Sequence, residues 1–570
     1  MRLVLSEDGY ALSLKSEGVE MLKKGVREPF CKIVQYRPYD NENFLMYPAK
    51  PMDFPSNRIS REGDFLVVRF EKTYDVAYLK MDIRDSYISF TLDHIDYDLP
   101  DFGVKRKTEI DEFALVQLPV KDRKHFGSWL NVVWDNKAAV CLMGAGPQTR
   151  IDSYSHKGWK TMYAGAQSKV SLLGTAAVLT AAKDPDKLLD NIDRIEQDFG
   201  MPRGVQSRRG EQYPYSYYEC RALTPQNVDR HIAYAKQGGF RHMVIYYTDF
   251  AYTCGHFLWT EAYPNGIEDL KAVVAKMKAA GMEVGFHIHY SKVSTDDPYV
   301  CNGHPDPRIN AVSNFVLAED LDSSSKTVVV EGPASNLRTE DGRRLLMIGD
   351  EIISYESVVS GAQSRFEGCE RGLFDSTVGS YPRGSRLIQP DVDDWPRFFR
   401  VDQNSTIQDE IAQRLADIYD TCGFSFIYFD GAEDVPEPYW YNVSKAQIAV
   451  WSKLRSPMLF AEGALKSHYG WHLLSRGNAF DHFKPEKIHQ AFAKYNIPCA
   501  EMIGNDFTSV DFGWLYCDMT PDIYEYVCSV AAAHNCPISF IAELDKLDNC
   551  PDTAENLAII RKWESRKSEK

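Results

Sequence analysis

Several absences narrow what this chain can be. Its twelve cysteines include no CxxC pair and no dense cluster. A structural zinc site is therefore excluded, and the thiols are expected as small apolar packing residues. No apolar run reaches the ~20 residues that a bilayer demands; SLLGTAAVLTAA (171–182) comes nearest and is too short. The N-terminus, MRLVLSEDGYALSLKSEG, lacks the basic, apolar and small-residue segments of a signal peptide. A cytoplasmic location is the expectation, or a periplasmic or secreted one if a signal peptide was removed. Positive charge is in deficit: 65 Lys and Arg stand against 81 Asp and Glu, a net charge of −16. That counts against nucleic acid and anionic membrane as partners, because both need a basic footprint. There is no GxGxxG turn either, so the dinucleotide fingerprint is missing.

What is present is a long, ordinary globular composition with many rings. At 570 residues the chain exceeds one hydrophobic core, so two or three domains are expected. Up to about residue 200, short alternating segments dominate, among them DFLVVRFEK (64–72), YISFTLDHIDYD (87–98), EFALVQLPV (112–120) and AAVCLMGAG (138–146). Period-two alternation separated by Pro, Gly, Asn and Asp predicts an antiparallel β-sandwich over 1–205. The block closes with KDPDKLLDNIDRIEQDFGMPRG (183–204), an amphipathic helix ended by Gly200 and Pro202.

From 206 to 570 the rhythm becomes strand, helix, strand, helix. Candidate strands are SYYECR (216–221), HMVIYYTDF (242–250), EVGFHIHYS (283–291), FSFIYFD (424–430), PMLFAEG (457–463), GNAFD (477–481), PCAEMIGND (498–506) and PISFIAEL (537–544). Eight strands with intervening helices predict a (β/α)8 TIM barrel. Residues 311–392 interrupt the series with KTVVVEG, RLLMIGDEIISYESV and SRFEGCERGLF. A structureless loop of that length is improbable, so a small β-rich module inserted after the third barrel strand is expected.

Barrel active sites sit at the C-terminal ends of strands. That rule selects Glu219, Asp249, His287, His289, Asp430, Glu462, Asp481, Glu501, Asn505 and Glu543. Asp430 and Glu462 stand out, since each follows a strongly apolar strand and precedes Gly. Neighbouring strands lie about 4.8 Å apart, so two such carboxylates fall within reach of the ~5–10 Å spacing used in glycoside hydrolysis. One carboxylate attacks or activates water, and the other stays protonated to release the leaving oxygen. His287 and His289 form an H-x-H on one strand face, suited to hydrogen-bonding sugar hydroxyls. Tyr247, Trp259 and Trp440 are candidates for stacking on sugar faces. Gly431 lets the chain turn away and leaves room for a sugar ring.

These residues carry a resemblance. The sandwich, the 183–204 helix and a fourth strand ending in Y-F-D-G resemble the retaining glycoside hydrolases with α-galactosidase-like barrels. The resemblance implies a galactose-mutarotase-like sandwich and makes Asp430 the nucleophile. Many members of that group take their acid from an Asp after strand six, which implies Asp481. Glycoside hydrolase families 101 and 129, which include α-N-acetylgalactosaminidases and an anhydrogalactosidase, are similar in placing a Glu after strand five. AEG (461–463) fits that position, implying that Glu462 is the acid/base.

The expectation is thus a retaining glycosidase acting on an α-linked sugar of an oligo- or polysaccharide. Asp430 and Glu462 would be catalytic, and Glu219, Tyr247, Trp259, His287, His289, Asp481, Glu501 and Asn505 would bind substrate. No cofactor and no metal are expected. Three other classes stay open: a barrel polysaccharide lyase using His287, His289 and Lys292, a metal-dependent hydrolase using the H-x-H pair, and a non-catalytic glycan-binding protein.

Overall fold

The computed structural model describes residues 1–40, 46–97, 109–393, 397–431, 435–464, 467–478 and 502–567. Its chain forms two compact units.

The first unit comprises 1–213 with the described residues 467–478 and 502–510. Its largest elements are an eight-stranded and a five-stranded antiparallel sheet. The alternating segments read from sequence supply their centres: Phe65–Phe70, Ile88–Tyr97, Glu112–Lys121 and Ala139–Gly144. The two sheets share one core, in which Phe70 of the larger meets Phe113 of the smaller edge-on at 5.7 Å. Glu112–Lys121 is buried at nine of ten positions, so it covers apolar neighbours on both faces. The helix Pro185–Asp198 starts where the Asp184 carboxylate accepts the Lys187 N–H at 2.8 Å, a capped start followed by proline. Its Leu188, Ile192 and Ile195 form the buried stripe.

The second unit comprises 214–464 and 511–567 among the described residues. Seven strands lie side by side in the order Ala461–Gly463, Phe426–Asp430, Glu283–His289, His242–Tyr246, Tyr217–Cys220, Ser539–Ala542, Trp514–Tyr516. Every neighbouring pair is parallel. Helices Val228–Gln237, Ile267–Ala279, Thr406–Cys422, Tyr439–Trp451 and Pro521–Ala533 separate them in sequence. Strands covered on both faces need near-continuous apolar runs, which is why FIYFD is buried up to its last residue. One face carries a cluster of Tyr217, Val244, Phe426, Tyr428 and Phe460. Gly285 belongs to this packing: a Cβ there would lie 2.2 Å from the Phe426 ring.

Residues 311–392 form a β-module with its own core. A four-stranded sheet (Ala311–Val316, Arg386–Pro390, Leu345–Ile348, Glu351–Ser354) and a three-stranded one (Thr327–Glu331, Gln363–Glu367, Ser357–Val359) enclose Leu317, Val328, Leu346, Ile353 and Phe366.

Two strand assignments made from sequence need correction. The described part of PCAEMIGND is not a strand: residues 502–505 are helical, and its earlier part, with Glu501, lies outside the described residues. The strands come later, at Ser509–Asp511 and Trp514–Tyr516, separated by Phe512 and by Gly513 at φ +88°. Pieces of three residues are too short to leave a period-two signature. Within GNAFD only the start is a described strand, Arg476–Asn478; Asp481 lies outside the described residues.

Candidate functional site

Asp430 ends its strand at the C-terminal edge of the parallel sheet, with a quarter of its side chain exposed. The register sets His289 beside Asp430 and His287 beside Tyr428. Alternation turns both histidines to the same face, and both reach Asp430. His287 Nε2 lies 3.0 Å and His289 Nε2 3.5 Å from Asp430 Oδ2. The Gly431 N–H donates to Oδ1 at 2.8 Å. Burial alone would push the Asp430 carboxyl up, but the bonds from His287 and His289 outweigh it and hold the group well below the usual carboxylate range.

His287 is wholly buried, and its other nitrogen, Nδ1, lies 3.3 Å from Glu219 Oε2. Glu219 is in turn paired with Arg221 at 2.7 Å. Burial disfavours the imidazolium, yet the Glu219 charge and the Asp430 hydrogen bond raise the His287 pKa to about 8. Tyr246 stacks on the His287 ring with centroids 4.1 Å apart. Its hydroxyl lies 3.0 Å from His289 Nε2, and the Tyr247 hydroxyl lies 3.3 Å from His289 Nδ1. Burial chiefly, with Lys292 and His287 also contributing, brings the His289 pKa down against the pull of Asp430.

Glu462 sits deeper. Its register partner is Tyr428, two residues short of Asp430, and it is 1% exposed. The Tyr217 hydroxyl donates to Glu462 Oε1 at 3.4 Å. Burial, then the charges of Glu462 and Asp511, keep that hydroxyl protonated far above its ordinary range. Asp511, itself buried, accepts a hydrogen bond from Ser539.

The other sequence candidates have different fates. Glu219, His287, His289 and Tyr247 join Asp430 as described. Trp259 lies against Phe250 at 5.2 Å and closes a bridge to Ala251, which is packing of its own loop. Asn505 belongs to the first unit, where its Oδ1 is 2.9 Å from His125 Nδ1 and its carbonyl accepts from Trp134 Nε1. It was placed at a strand end only because PCAEMIGND mimics a strand, and the structure does not bring it to Asp430. Glu543 precedes a helix and pairs with Lys546. Asp249 is half-buried, with a carboxyl pushed up to about 7 by desolvation and an Oδ1 that accepts the Leu223 N–H.

Sequence reading missed Arg221, Tyr246, Tyr217 and Asp511. Arg221 directly follows the buried strand YYEC, and a cation there is the one signal that could have been used. Lys292 is engaged with Asp393 and lies 5.0 Å from the Phe398 ring. Among the described residues, no group of three or more His, Cys, Asp or Glu is arranged to hold a metal ion. No helix among them is long and apolar enough to cross a membrane.

No protein-family model matches the chain, and no curated protein sequence does. Solved structures do match its fold. A GH31 family sulfoquinovosidase from E. rectale, in complex with the aza-sugar inhibitor IFGSQ, aligns over 100% of this chain and 82% of its own, at TM-score 0.50 and 11% identity. A GH36 alpha-galactosidase from Geobacillus stearothermophilus in complex with raffinose covers 96% and 77%, at TM-score 0.46 and 9% identity. The alpha-galactosidase from Lactobacillus brevis covers 100% and 78%, at TM-score 0.45 and 9% identity.

Proposed function

We propose that the protein is a retaining glycoside hydrolase for α-linked sugars of oligo- or polysaccharides, with Asp430 as nucleophile and no cofactor. In this reading 1–205 is a mutarotase-like sandwich, 206–570 a (β/α)8 barrel, and 311–392 its insertion. The observation that carries it is the state of Asp430: ionised, at a parallel-strand end, and oriented by two histidines from the adjacent strand. The fold shared with the sulfoquinovosidase supports it.

In the first step Asp430 bonds to the anomeric carbon as the glycosidic bond breaks, and an acid protonates the departing oxygen. In the second, water attacks that carbon, its proton passes to the same acid/base, and Asp430 leaves. Glu462 takes the acid/base role here. A second reading gives it to Asp481 and has Glu462 hold ring hydroxyls instead. The depth of Glu462, level with Tyr428 and bonded to Tyr217, favours that second reading.

A panel of aryl α- and β-glycosides and glycan fragments tests the proposal. Asp430→Asn should lose activity by roughly a thousandfold or more; undiminished turnover in that variant would sink the nucleophile. The acid/base is the carboxylate whose amide variant keeps activity on substrates with good leaving groups and regains it with azide. Glu462→Gln and Asp481→Asn are the two arms.

A further inference from the structure

Both ring nitrogens of His287 face carboxylate oxygens: Nδ1 faces Glu219 at 3.3 Å and Nε2 faces Asp430 at 3.0 Å. An ionised carboxylate only accepts hydrogen bonds, and a neutral imidazole has one N–H. A neutral His287 would therefore set a lone pair against one of the two oxygens, from a ring that is itself wholly buried. Glu219 is ion-paired with Arg221 at 2.7 Å, and the histidines hold the Asp430 carboxyl well below the usual carboxylate range. The row Arg221, Glu219, His287, Asp430 thus alternates in charge from the strand Tyr217–Cys220 across to Phe426–Asp430.

We infer that Glu219 and Arg221 are positioning residues that hold His287 as an imidazolium through neutral pH and through both catalytic steps, and that this imidazolium serves Asp430 as a leaving group rather than as a nucleophile. The inference rests on the glycosidase reading above. A cation on Oδ2 stabilises the free carboxylate. It therefore makes attack less favourable and expulsion of Asp430 from the glycosyl ester more favourable. Oδ1, which accepts the Gly431 N–H at 2.8 Å and lies off the histidine side of the carboxylate, is the oxygen positioned to attack. As the ester forms, the negative charge leaves Asp430 and His287 keeps its proton, its Nε2–H now donating to the ester carbonyl. When water cleaves the ester, charge returns to an oxygen already bonded to the cation. No proton moves along the Arg221–Glu219–His287 row in either step.

The groups facing His287 from each surrounding strand support a locked proton. They are Glu219 and the Arg221 beyond it, Tyr246 stacked on the ring, Tyr428 at 4.4 Å, Trp514 at 5.5 Å, His289 on its own strand, and Asp430. Two are carboxylates and three are electron-rich rings, and the cation among them, Arg221, is itself tied to Glu219. The His287 pKa of about 8 is consistent with this balance.

The direct test is the pH dependence of the His287 ring signal in protein carrying ring-labelled histidine, with His287→Asn identifying the resonance. Wild type should stay protonated on both nitrogens through neutral pH, and a ring that is neutral at pH 7 would overturn the inference without using activity. In parallel, Glu219→Gln should move the alkaline limb of the kcat profile down by about one pH unit or more. It should also make deglycosylation slower than glycosylation, so that a burst of aglycone and a trapped glycosyl-enzyme appear, while Glu219→Asp recovers the profile. An unchanged alkaline limb and no burst, in a variant that still turns over, would overturn it and leave Asp430 as nucleophile intact. Full activity in Asp430→Asn would instead remove the glycosidase reading itself.

Discussion

At the scale of single residues, the site depends on how closely backbone and side chains approach around Asp430. Gly431 has φ +85°, and a Cβ there would lie 2.7 Å from Lys292 Cε and 3.0 Å from His289 Cδ2. Alanine is strained in that conformation and would push His289 away from Asp430. Gly431→Ala should cost more than ~1 kcal/mol of stability and lower kcat more than it raises KM. Thermal melts and steady-state kinetics on the same preparation check both; an unchanged kcat would show that His289 has slack. The role of Gly431 was legible in FDG, because a glycine after a buried acid marks a turn. The deep seat of Glu462 was not. Two apolar strands each ending in acid-Gly look equivalent on paper, and only the register between them separates their levels.

At the scale of elements, the β-module of 311–392 is organised by one buried ion pair. Arg371 reaches both oxygens of Glu351, at 2.5 and 2.7 Å, and Glu351 also accepts the Gly379 N–H at 3.1 Å. Both side chains are shielded from water, at 0% and 9% exposure. Removing one partner of such a pair leaves a charge without compensation, at a cost of about 3–5 kcal/mol. Glu351→Ala should therefore open this module first. Limited proteolysis is expected to cut within 311–392 well below the temperature at which the remaining core melts, and simultaneous loss of both would show one cooperative unit. Strong elements were readable from sequence where they were long and periodic, as with Glu112–Lys121 or Thr406–Cys422. They were misread where three-residue strands leave no period, as at Ser509–Asp511.

At the scale of the whole molecule, buried titrating groups set how stability varies with pH. Asp249 has a carboxyl pushed up to about 7 by burial, against a model-peptide carboxyl near 4. The folded chain therefore binds a proton that the unfolded chain has released, and stability falls as pH rises from about 4 to 7. His287, raised to about 8, adds stability that is complete below about 6.5 and lost as pH climbs through 8. Asp430 acts in the opposite sense, its contribution present above about 4 and lost in acid. Asp249→Asn should remove a slope of up to ~1.4 kcal/mol per pH unit between pH 4 and 7, read from denaturant unfolding across that range. An identical slope in wild type and variant would place the Asp249 proton elsewhere. Nine of the eleven described cysteines are buried and all eleven are free, in keeping with thiols used as apolar volume. By itself the sequence determined the long periodic strands and helices, that an alternating block precedes a strand–helix block, and that acids close apolar strands, because these follow from local periodicity and turn chemistry. Only the tertiary structure decided which acids share a site. Register and strand adjacency bring Glu219, His287 and Asp430 together across gaps of 68 and 143 residues. Long-range pairing of that kind leaves no periodic trace in a single chain.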